Sequence, residues 1–220
     1  MSEPKVALPP LPVSLEGRFC YLEPLNISHA PDLFAAISGE RAQENHQYLF
    51  EVPPENEEQL ARWIAQVCAD PNFMFFAVMN TANGKCGGRQ ALMRIRPEQG
   101  TIELGSILWG RGVAKTALAT ESLYLTARYI FEDLGYRRFE WKCNNLNIPS
   151  KRAAIRFGFT FEGVFRQHMI VKGANRDTAW FSIIDREWPA LRAKYERWLS
   201  PKNFDASGRE KTPLSTPRQT

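Results

Sequence analysis

The stretch from residue 101 to residue 135 constrains the fold more than any other part of the chain. Residues 101–109 (TIELGSILW) form an apolar run of strand length, and a short loop with two glycines follows them. Residues 115–134 then place apolar side chains on one stripe, at spacings of three and four, and Gly135 stands where a helix C-cap is expected. The sequence therefore predicts a strand, a tight loop and a long helix in direct succession.

The rest of the chain alternates between strand and helix patterns. Apolar runs bounded by turn signals such as Asn83-Gly84 predict further strands over residues 17–24, 73–80, 86–95, 137–143, 159–171 and 177–184. Helical spacing predicts further helices over residues 29–38, 57–69, 148–157 and 186–199. This order predicts the α/β (α+β) class, with a mixed, mostly antiparallel sheet that carries helices on both faces.

A length of 220 residues suits a single domain, which we expect to cover residues 13–199. Residues 1–12 contain four prolines and are predicted to be flexible. Residues 200–220 are rich in proline and polar side chains and are predicted to be a disordered tail. No apolar run reaches the roughly 20 residues that cross a bilayer, and the N-terminal prolines interrupt any signal peptide. We therefore expect a cytoplasmic protein that does not bind membranes.

The distribution of charge and of metal-binding side chains narrows the classes of partner. The formal net charge of +4 is small and dispersed, so we expect no nucleic-acid partner, although a small ligand that carries phosphates is compatible with it. The four cysteines are far apart in the sequence and the three histidines are scattered. No metal site is predicted from them.

The loop that precedes the long helix has the features of an anion site. The first amides of a helix have no internal partners, and the helix dipole adds partial positive charge at the same end. Arg111 and Lys115 supply cations, and Gly110 and Gly112 let the backbone approach an anion closely. Neither common glycine motif for nucleotides is present, which argues against ATP or a dinucleotide. The alternative is a plain strand-to-helix turn with two solvated cations.

Two later motifs suggest which anion this is. Residues 147–150 (NIPS) open a predicted helix, and residues 156–159 (RFGF) lead from it into the next strand. Together with Glu-Leu-Gly at 103–105 and Asp-Arg-Glu-Trp at 185–188, they resemble the Gcn5-related N-acetyltransferase (GNAT) superfamily over about residues 17–189. The narrower resemblance is to the branch that contains the ribosomal-protein alanine and serine N-acetyltransferases.

The resemblance implies a fold, an activity and a partner. It implies the acyl-CoA N-acyltransferase fold and, without any metal, the transfer of acetyl from acetyl-CoA to a primary amine of a small molecule or a peptide. The amine would attack directly in a ternary complex, within a monomer or a homodimer. One departure from the family pattern motivates an alternative. In the phosphate loop, Ala114 stands where Gln or Arg is usual, and Ala117 stands where the middle Gly is usual. The alternative is an acyl-CoA-binding module with little or no turnover.

The resemblance also implies where the coenzyme lies. Its diphosphate would lie on the amides of residues 113–119, and its pantetheine arm would lie between the strands at 103–109 and 138–143. The implied coenzyme contacts are Leu108, Trp109, Arg111, Val113, Lys115, Thr116, Ala117, Leu118, Ala119, Asn147 and Arg152. Asn147 has a second interpretation as the N-cap of the helix that follows it, and the two roles can coexist.

Two residues are candidates for the chemical step. An alkyl ammonium ion has a pKa of about 10, so a base must take its proton before it attacks the thioester. The resemblance favours Glu103 as that base, and a structural hydrogen-bond acceptor is its alternative role. Ser150 occupies a position that supports the departing thiolate in relatives, and a residue that merely contacts the coenzyme is its alternative role.

The acceptor pocket is predicted from two stretches, a polar and aromatic loop at 45–50 and the last hairpin of the chain. The candidate residues are His46, Tyr48, Phe50, His168 and Trp180. For each residue taken singly, a surface loop or a core hairpin is the competing interpretation.

Overall fold

A computed structural model describes residues 6–214 and contains one sheet of eight strands. They are β1 (Leu15–Glu16), β2 (Cys20–Pro24), β3 (Phe73–Asn80), β4 (Cys86–Arg96), β5 (Thr101–Trp109), β6 (Arg138–Asn144), β7 (Thr160–Val171) and β8 (Ala174–Ile184). The strands lie in the order β1-β2-β3-β4-β5-β6-β8-β7. Neighbouring strands are antiparallel, apart from the parallel pair of β5 and β6.

Helices cover both faces of this sheet, which confirms the predicted fold class. They are α1 (Ala30–Ile37), α2 (Ala42–His46), α3 (Glu57–Cys68), α4 (Ala117–Arg128), α5 (Ile148–Arg156) and α6 (Trp188–Leu199). The helices α1 and α3 pack on one face, and α4 and α6 pack on the other. Within the described residues, no helix is long and apolar enough to cross a membrane.

Side-chain alternation along the strands divides the core into two layers. Successive residues of a strand point to opposite faces of its sheet. In β3, Phe76 and Val78 accordingly join the cluster beneath α4, whereas Phe75 and Ala77 join the cluster beneath α1 and α3. Both faces of the central strands are therefore buried, which explains why β3 reads as a continuous apolar run rather than an alternating one.

The long helix after β5 begins later and ends earlier than predicted. We expected it over residues 115–134, but α4 begins at Ala117 because Thr116 is its N-cap, with extended backbone and a side-chain oxygen that accepts from the Leu118 amide at 3.2 Å. Beyond α4 the chain continues as a π-helical segment over Tyr129–Asp133. Gly135 follows with a φ of +75°, the conformation expected of a helix C-cap.

Three other local features differ from the sequence expectation. The two-residue strand β1 and the five-residue helix α2 were not predicted, since both are too short to show a period. Helix α2 includes Asn45 and His46, so the predicted loop at 45–50 begins two residues later. The last hairpin is tighter than expected, because β8 already starts at Ala174 rather than at residue 177.

The two ends of the chain are less loose than predicted wherever the structure describes them. In the predicted flexible segment 1–12, the Leu8 amide donates to the Leu134 carbonyl at 2.8 Å. In the predicted tail 200–220, Phe204 packs edge-on against Phe19 and Trp198. The proline content suggested disorder, but these contacts bury aromatic surface that compensates for ordering. Residues 1–5 and 215–220 lie outside the described residues.

A buried carboxylate joins α4 to the start of the sheet. Glu121 is 4% exposed, and its side chain accepts hydrogen bonds from the backbone amides of Arg18, Phe19 and Cys20 at 2.9, 2.5 and 2.8 Å. Gly17 leaves space for this carboxylate, because a Cβ there would lie 2.6 Å from the carboxyl carbon. The contact fixes the turn between β1 and β2 against the helix.

We predict that Glu121→Ala lowers the free energy of unfolding by about 2–4 kcal/mol, because it leaves three backbone donors without partners. Urea denaturation monitored by circular dichroism measures this. Glu58→Ala is the matched control, since the ion pair of Glu58 with Arg62 is exposed and is worth roughly 0.5 kcal/mol. Equal losses for the two variants would contradict the prediction.

Candidate active site

The strands β5 and β6 part in the middle of the sheet. They pair from Thr101–Arg138 to Leu104–Trp141 and no further. Beyond that point β6 remains paired with β8, and β5 remains paired with β4 through a bulge at Ser106, whose φ is +47°. The edge of β5 that faces β6 therefore has no strand partner past Leu104 within residues 6–214, and an extended ligand could bind its backbone groups.

A cleft of about 610 Å³ opens at this parting. Cys143, on the face of the sheet that carries α4, lines it together with Ser150 of α5. Lys142 and Arg176, from the opposite face, also line it. Phe50, in the loop between α2 and α3, forms part of its wall. The cleft therefore passes from one face of the sheet to the other.

Ion pairs surround Glu103, which is 3% exposed. Its Oε2 accepts from Arg94 Nη1 at 2.7 Å and lies 2.9 Å from Lys142 Nζ. Lys142 Nζ also lies 2.7 Å from Glu140 and 3.8 Å from the centre of the Trp180 ring. Burial alone would raise the pKa of Glu140, but hydrogen bonds from Lys142 and Arg138 outweigh it and lower that pKa. Glu103 is thus a structural acceptor at Oε2, and its Oε1 has no hydrogen-bond partner within the described residues.

Ser150 is held by two hydrogen bonds at the other side of the cleft. Trp141 Nε1 donates to its hydroxyl at 3.0 Å, and its amide donates to Asn147 Oδ1 at 3.1 Å. Asn147 is therefore the N-cap of α5. Because the indole can only donate, the Ser150 hydroxyl hydrogen is available to another acceptor.

The neighbouring Cys143 thiol does not offer an alternative nucleophile. Burial raises its pKa, and the nearby Ser150 hydroxyl offsets this only in part. The thiol is therefore protonated at neutral pH, and thiols react as nucleophiles through the thiolate. Of the Cys143 thiol and the Ser150 hydroxyl, the hydroxyl is the stronger hydrogen-bond donor that this side of the cleft offers to a ligand.

The loop between β5 and α4 is shaped by a close approach to α1. A Cβ at Gly110 would lie 2.5 Å from the Ala36 carbonyl oxygen, so only glycine fits there. The amides of Val113 and Ala114 both donate to the Gly110 carbonyl, at 3.0 and 2.9 Å. These contacts fold the loop back on itself directly before the helix.

The loop's own hydrogen bonds reduce the number of amides that could hold a phosphate. The occupied amides, which donate to carbonyl oxygens or to the Thr116 side chain, are those of Val113, Ala114, Thr116 and Leu118. The amides of Lys115, Ala117 and Ala119 form no hydrogen bond with residues 6–214. The amides of the predicted cradle that remain available are therefore these three, just before and within the first turn of α4. Exposed Lys115 precedes this turn, and exposed Arg111 lies in the same loop.

Comparison with known proteins agrees with this geometry. Residues 20–160 match the acetyltransferase (GNAT) domain family. The chain belongs to the GNAT acetyltransferase family. Its structure is similar to that of a GCN5-related N-acetyltransferase from Brucella melitensis, with a TM-score of 0.93, 51% identity and 96% of each chain covered. The resemblance to the GNAT superfamily drawn from the sequence motifs is thereby confirmed.

Two further relatives extend the comparison. The chain is 33% identical to a probable GNAT acetyltransferase from Chromobacterium violaceum ATCC 12472, with a TM-score of 0.80 over 86% of this chain and 94% of that one. It is 31% identical over 109 residues to an uncharacterized N-acetyltransferase, p20, from Bacillus licheniformis. That match spans 48% of this chain and 56% of the relative, little more than half of the relative's length.

The expected coenzyme residues of this GNAT chain lie in different environments. The Leu108 side chain is buried beneath α1 and α3, and Trp109 Nε1 donates to Gln90 at 3.2 Å, so neither side chain is turned to a ligand. The Gly110 amide donates to the Gly87 carbonyl of β4, so by alternation the backbone groups of Leu108 also face β4 and those of Trp109 face the free edge. Arg152 is exposed on α5. Within the described residues, no cluster of metal-binding side chains is present.

The expected acceptor residues are brought together only in part. Tyr48, Phe50 and His168 line the cleft. His46 does not: it is buried beside a separate cavity of about 470 Å³, burial lowers its pKa, and its carbonyl accepts from Lys172 at 2.9 Å. Trp180 lies under Lys142 and does not line the cleft. His46 and Trp180 therefore lie outside the lining of the cleft.

A buried arginine that the sequence analysis missed holds the bulge of β5. Arg89 is 1% exposed, and its Nη1 donates to both the carbonyl and the hydroxyl of Ser106 at 2.5 Å. Its Nη2 forms an ion pair with Glu51, and its guanidinium lies 4.2 Å from the centre of the Trp63 ring. Arg89 therefore ties the bulge to the loop that carries Phe50. The sign of this residue in the sequence is a charged side chain within the mostly apolar strand predicted over residues 86–95.

We predict that Glu51→Gln lowers the free energy of unfolding by about 3 kcal/mol, because it leaves the buried Arg89 charge without its partner. Chemical denaturation of the single variant and of the Glu51→Gln/Arg89→Met double variant measures this. The double variant should recover most of the loss, since it removes the buried charge as well. A double variant no more stable than the single one would contradict the prediction.

Proposed function

We propose that this protein transfers the acetyl group of acetyl-CoA to a primary amine. The observation that carries the proposal is the parting of β5 and β6, with Ser150 on one side of the opening and Glu103 on the other. Family membership supports the reaction class. The amine would attack the thioester carbon directly while both substrates are bound. The C–N bond forms first, and the C–S bond then breaks as the nitrogen loses a proton and the thiolate leaves.

The free edge of β5 supports a site for the pantetheine arm, since its backbone groups can pair with the amides of the arm as a neighbouring strand would. The diphosphate would then reach the first turn of α4, where the amides of Ala117 and Ala119 and the positive end of the helix dipole favour an anion. Lys115 and Arg111 would add cationic contacts at the rim. Asn147, beyond its capping role, would contact the arm near α5.

Glu103 would accept the proton of the attacking amine. Its Oε2 is engaged by Arg94 and Lys142, which fix the carboxylate in one orientation and leave Oε1 as the available acceptor. An acceptor held in this way costs little reorganisation when the proton arrives. The proton would reach Oε1 directly or through one water molecule.

Ser150 would stabilise the departing thiolate. Trp141 donates to the Ser150 oxygen, which orients the hydroxyl hydrogen away from the indole. A hydroxyl placed beside the sulfur can donate a hydrogen bond as negative charge develops there, and such donors act mainly on the transition state.

The second candidate function is a module that binds acyl-CoA without turnover, which Ala114 and Ala117 in the phosphate loop motivated. The amide of Ala117 has no partner within residues 6–214, so the methyl group does not remove a donor from the helix terminus. This favours the enzyme over the module. Measuring free thiol released from acetyl-CoA with a panel of primary amines separates the two: tight acetyl-CoA binding without thiol release from any amine would support the module.

We predict that Ser150→Ala lowers kcat by about 10- to 100-fold, because the thiolate loses its hydrogen-bond donor in the transition state. The dissociation constant of acetyl-CoA, measured by calorimetry on the same variant, should change by less than about threefold, the scale of one weak neutral contact. An unchanged kcat would remove Ser150 from the reaction.

We predict that Lys115→Glu raises the dissociation constant of acetyl-CoA by roughly tenfold, because it replaces an attractive charge beside the diphosphate with a repulsive one. Raising the salt concentration should shrink the difference from the unaltered protein. Lys85→Glu, in the exposed turn between β3 and β4, is the matched charge reversal and should leave the constant unchanged. Equal affinities for both variants would place the phosphates elsewhere.

A further inference from the structure

Arg176 of β8 lines the cleft on the face of the sheet opposite to α4. It alternates with Ala179 and Phe181, whose side chains pack beneath α4, and it therefore points the other way, as Thr178 does. Arg176 is 7% exposed, and its guanidinium lies 5.1 Å from the centre of the Phe50 ring. Phe50 thus covers Arg176 on the side of the cleft away from α4. A coenzyme bound at α4 would leave that side of the cleft open.

This guanidinium has no partner among residues 6–214. Its Nε is buried without a hydrogen bond, and neither of its terminal nitrogens forms a hydrogen bond or an ion pair with another described residue. The adjacent Asp177 faces away and accepts from the Gln167 amide and from Asn175, at 2.8 and 3.0 Å. A guanidinium carries five N–H donors. The one on Nε is buried and unbonded, which is costly, and the four on the terminal nitrogens are left to whatever occupies the cleft. Burial accordingly lowers the pKa of Arg176.

The other charges near the cleft are compensated within the protein. Arg94 and Lys142 share Glu103, and Lys142 has Glu140 as well. Glu51 is paired with Arg89. Within residues 6–214, Arg176 is therefore the cleft-lining charge without an opposite charge at ion-pair distance. One positive charge is left over in a cleft that also contains the free Oε1 of Glu103.

We propose that the acceptor is a small amine that also carries a carboxylate, and that Arg176 binds this carboxylate. This inference rests on the proposed function and names its substrate class. The planar fork of a guanidinium matches the two oxygens of a carboxylate, which it can bind with two parallel hydrogen bonds. The amine end of the same molecule would then face the Oε1 of Glu103 across the cleft.

Charge and shape favour a carboxylate over a phosphate or a peptide. A single uncompensated guanidinium balances one negative charge, whereas a phosphate monoester carries up to two at neutral pH. In a peptide the carboxylate next to the α-amine has become an amide, so the backbone offers Arg176 a neutral carbonyl in place of an anion. Phe50 closes over the guanidinium and leaves an apolar wall, which suits the carbon chain between an amine and its carboxylate.

The test compares acceptors that differ only in this anion. L-Amino acids, β-alanine and 4-aminobutyrate are each paired with the corresponding carboxamide, and kcat/KM is measured by thiol release from acetyl-CoA. The unaltered protein should prefer the best carboxylate over its carboxamide by roughly 10- to 100-fold, the strength of hydrogen bonds to a charged group. Arg176→Gln should reduce this ratio to within about threefold, the scale of one weak neutral contact, and leave the KM for acetyl-CoA unchanged. Arg186→Gln, an exposed arginine after β8, should keep the full ratio.

Calorimetry of the same amines with the CoA-bound protein gives a readout that does not depend on turnover. The favoured carboxylate should bind the unaltered protein and lose roughly tenfold or more in affinity in Arg176→Gln. The proposal would be overturned if carboxamides bound and released thiol as well as the matching carboxylates do. It would also be overturned if aminoalkyl phosphates or peptides were preferred over the carboxylates. Selective binding without thiol release from any amine would support the carboxylate site and refute the acetyl transfer instead.

Arg176→Gln is expected to fold, since it removes an unpaired buried charge rather than a partner of one. Its melting temperature should equal or exceed that of the unaltered protein in the absence of ligand. A large drop would show that Arg176 has a structural partner outside the described residues and would overturn its assignment to a ligand.

Discussion

The parting of β5 and β6 is the constraint on which the site depends. Two adjacent parallel strands pair for four residues and then separate, each held by its other neighbour. Separation leaves backbone hydrogen-bonding groups unpaired in the middle of a sheet, which a protein tolerates only where a ligand or water can take their place. Ser150, Glu103 and the cleft between them are arranged around this single gap.

The buried charges keep the gap in shape. Arg89 holds the bulge of β5 and the loop above it through contacts with Ser106 and Glu51. On the other strand, Lys142 joins Glu103 to Glu140. A buried ion pair is weak evidence for stability, but losing one partner is expensive, so such pairs enforce one local geometry. Arg176 differs from both networks because the described residues supply it with no counter-charge.

The sequence predicted the elements and the family, and it predicted side-chain roles less well. The strand at 101–109, the helix after it and the motif at 147–150 were sufficient for the fold, since period and cap residues are local signals. The start of α4 was misplaced because Thr116 and Lys115 both look acceptable inside a helix. Arg89, Lys142 and Arg176 were missed because their importance comes from partners far away in the chain. The one local sign of their importance was a charged residue within a buried strand.

The terminal segments show the same limit. Their prolines and polar residues resemble those of disordered chains, but Phe204 packs against nearby Trp198 and against Phe19, which lies at the opposite end of the chain. Composition cannot reveal a partner of that kind. The diphosphate was likewise expected on a continuous run of amides. In the structure, some of these amides form hydrogen bonds within the loop, and the others have no partner among residues 6–214.

Because the cleft passes from one face of the sheet to the other, the two substrates need not share an entrance. In the proposed acetyl transfer, the donor would approach from the side of α4 and the acceptor from the side of Phe50, so neither would have to leave before the other arrives. Such an arrangement permits either order of binding. A single molecule in which an amino acid is linked to the coenzyme sulfur would pass through the gap between β5 and β6. It would make the contacts of both substrates but lose translational freedom only once.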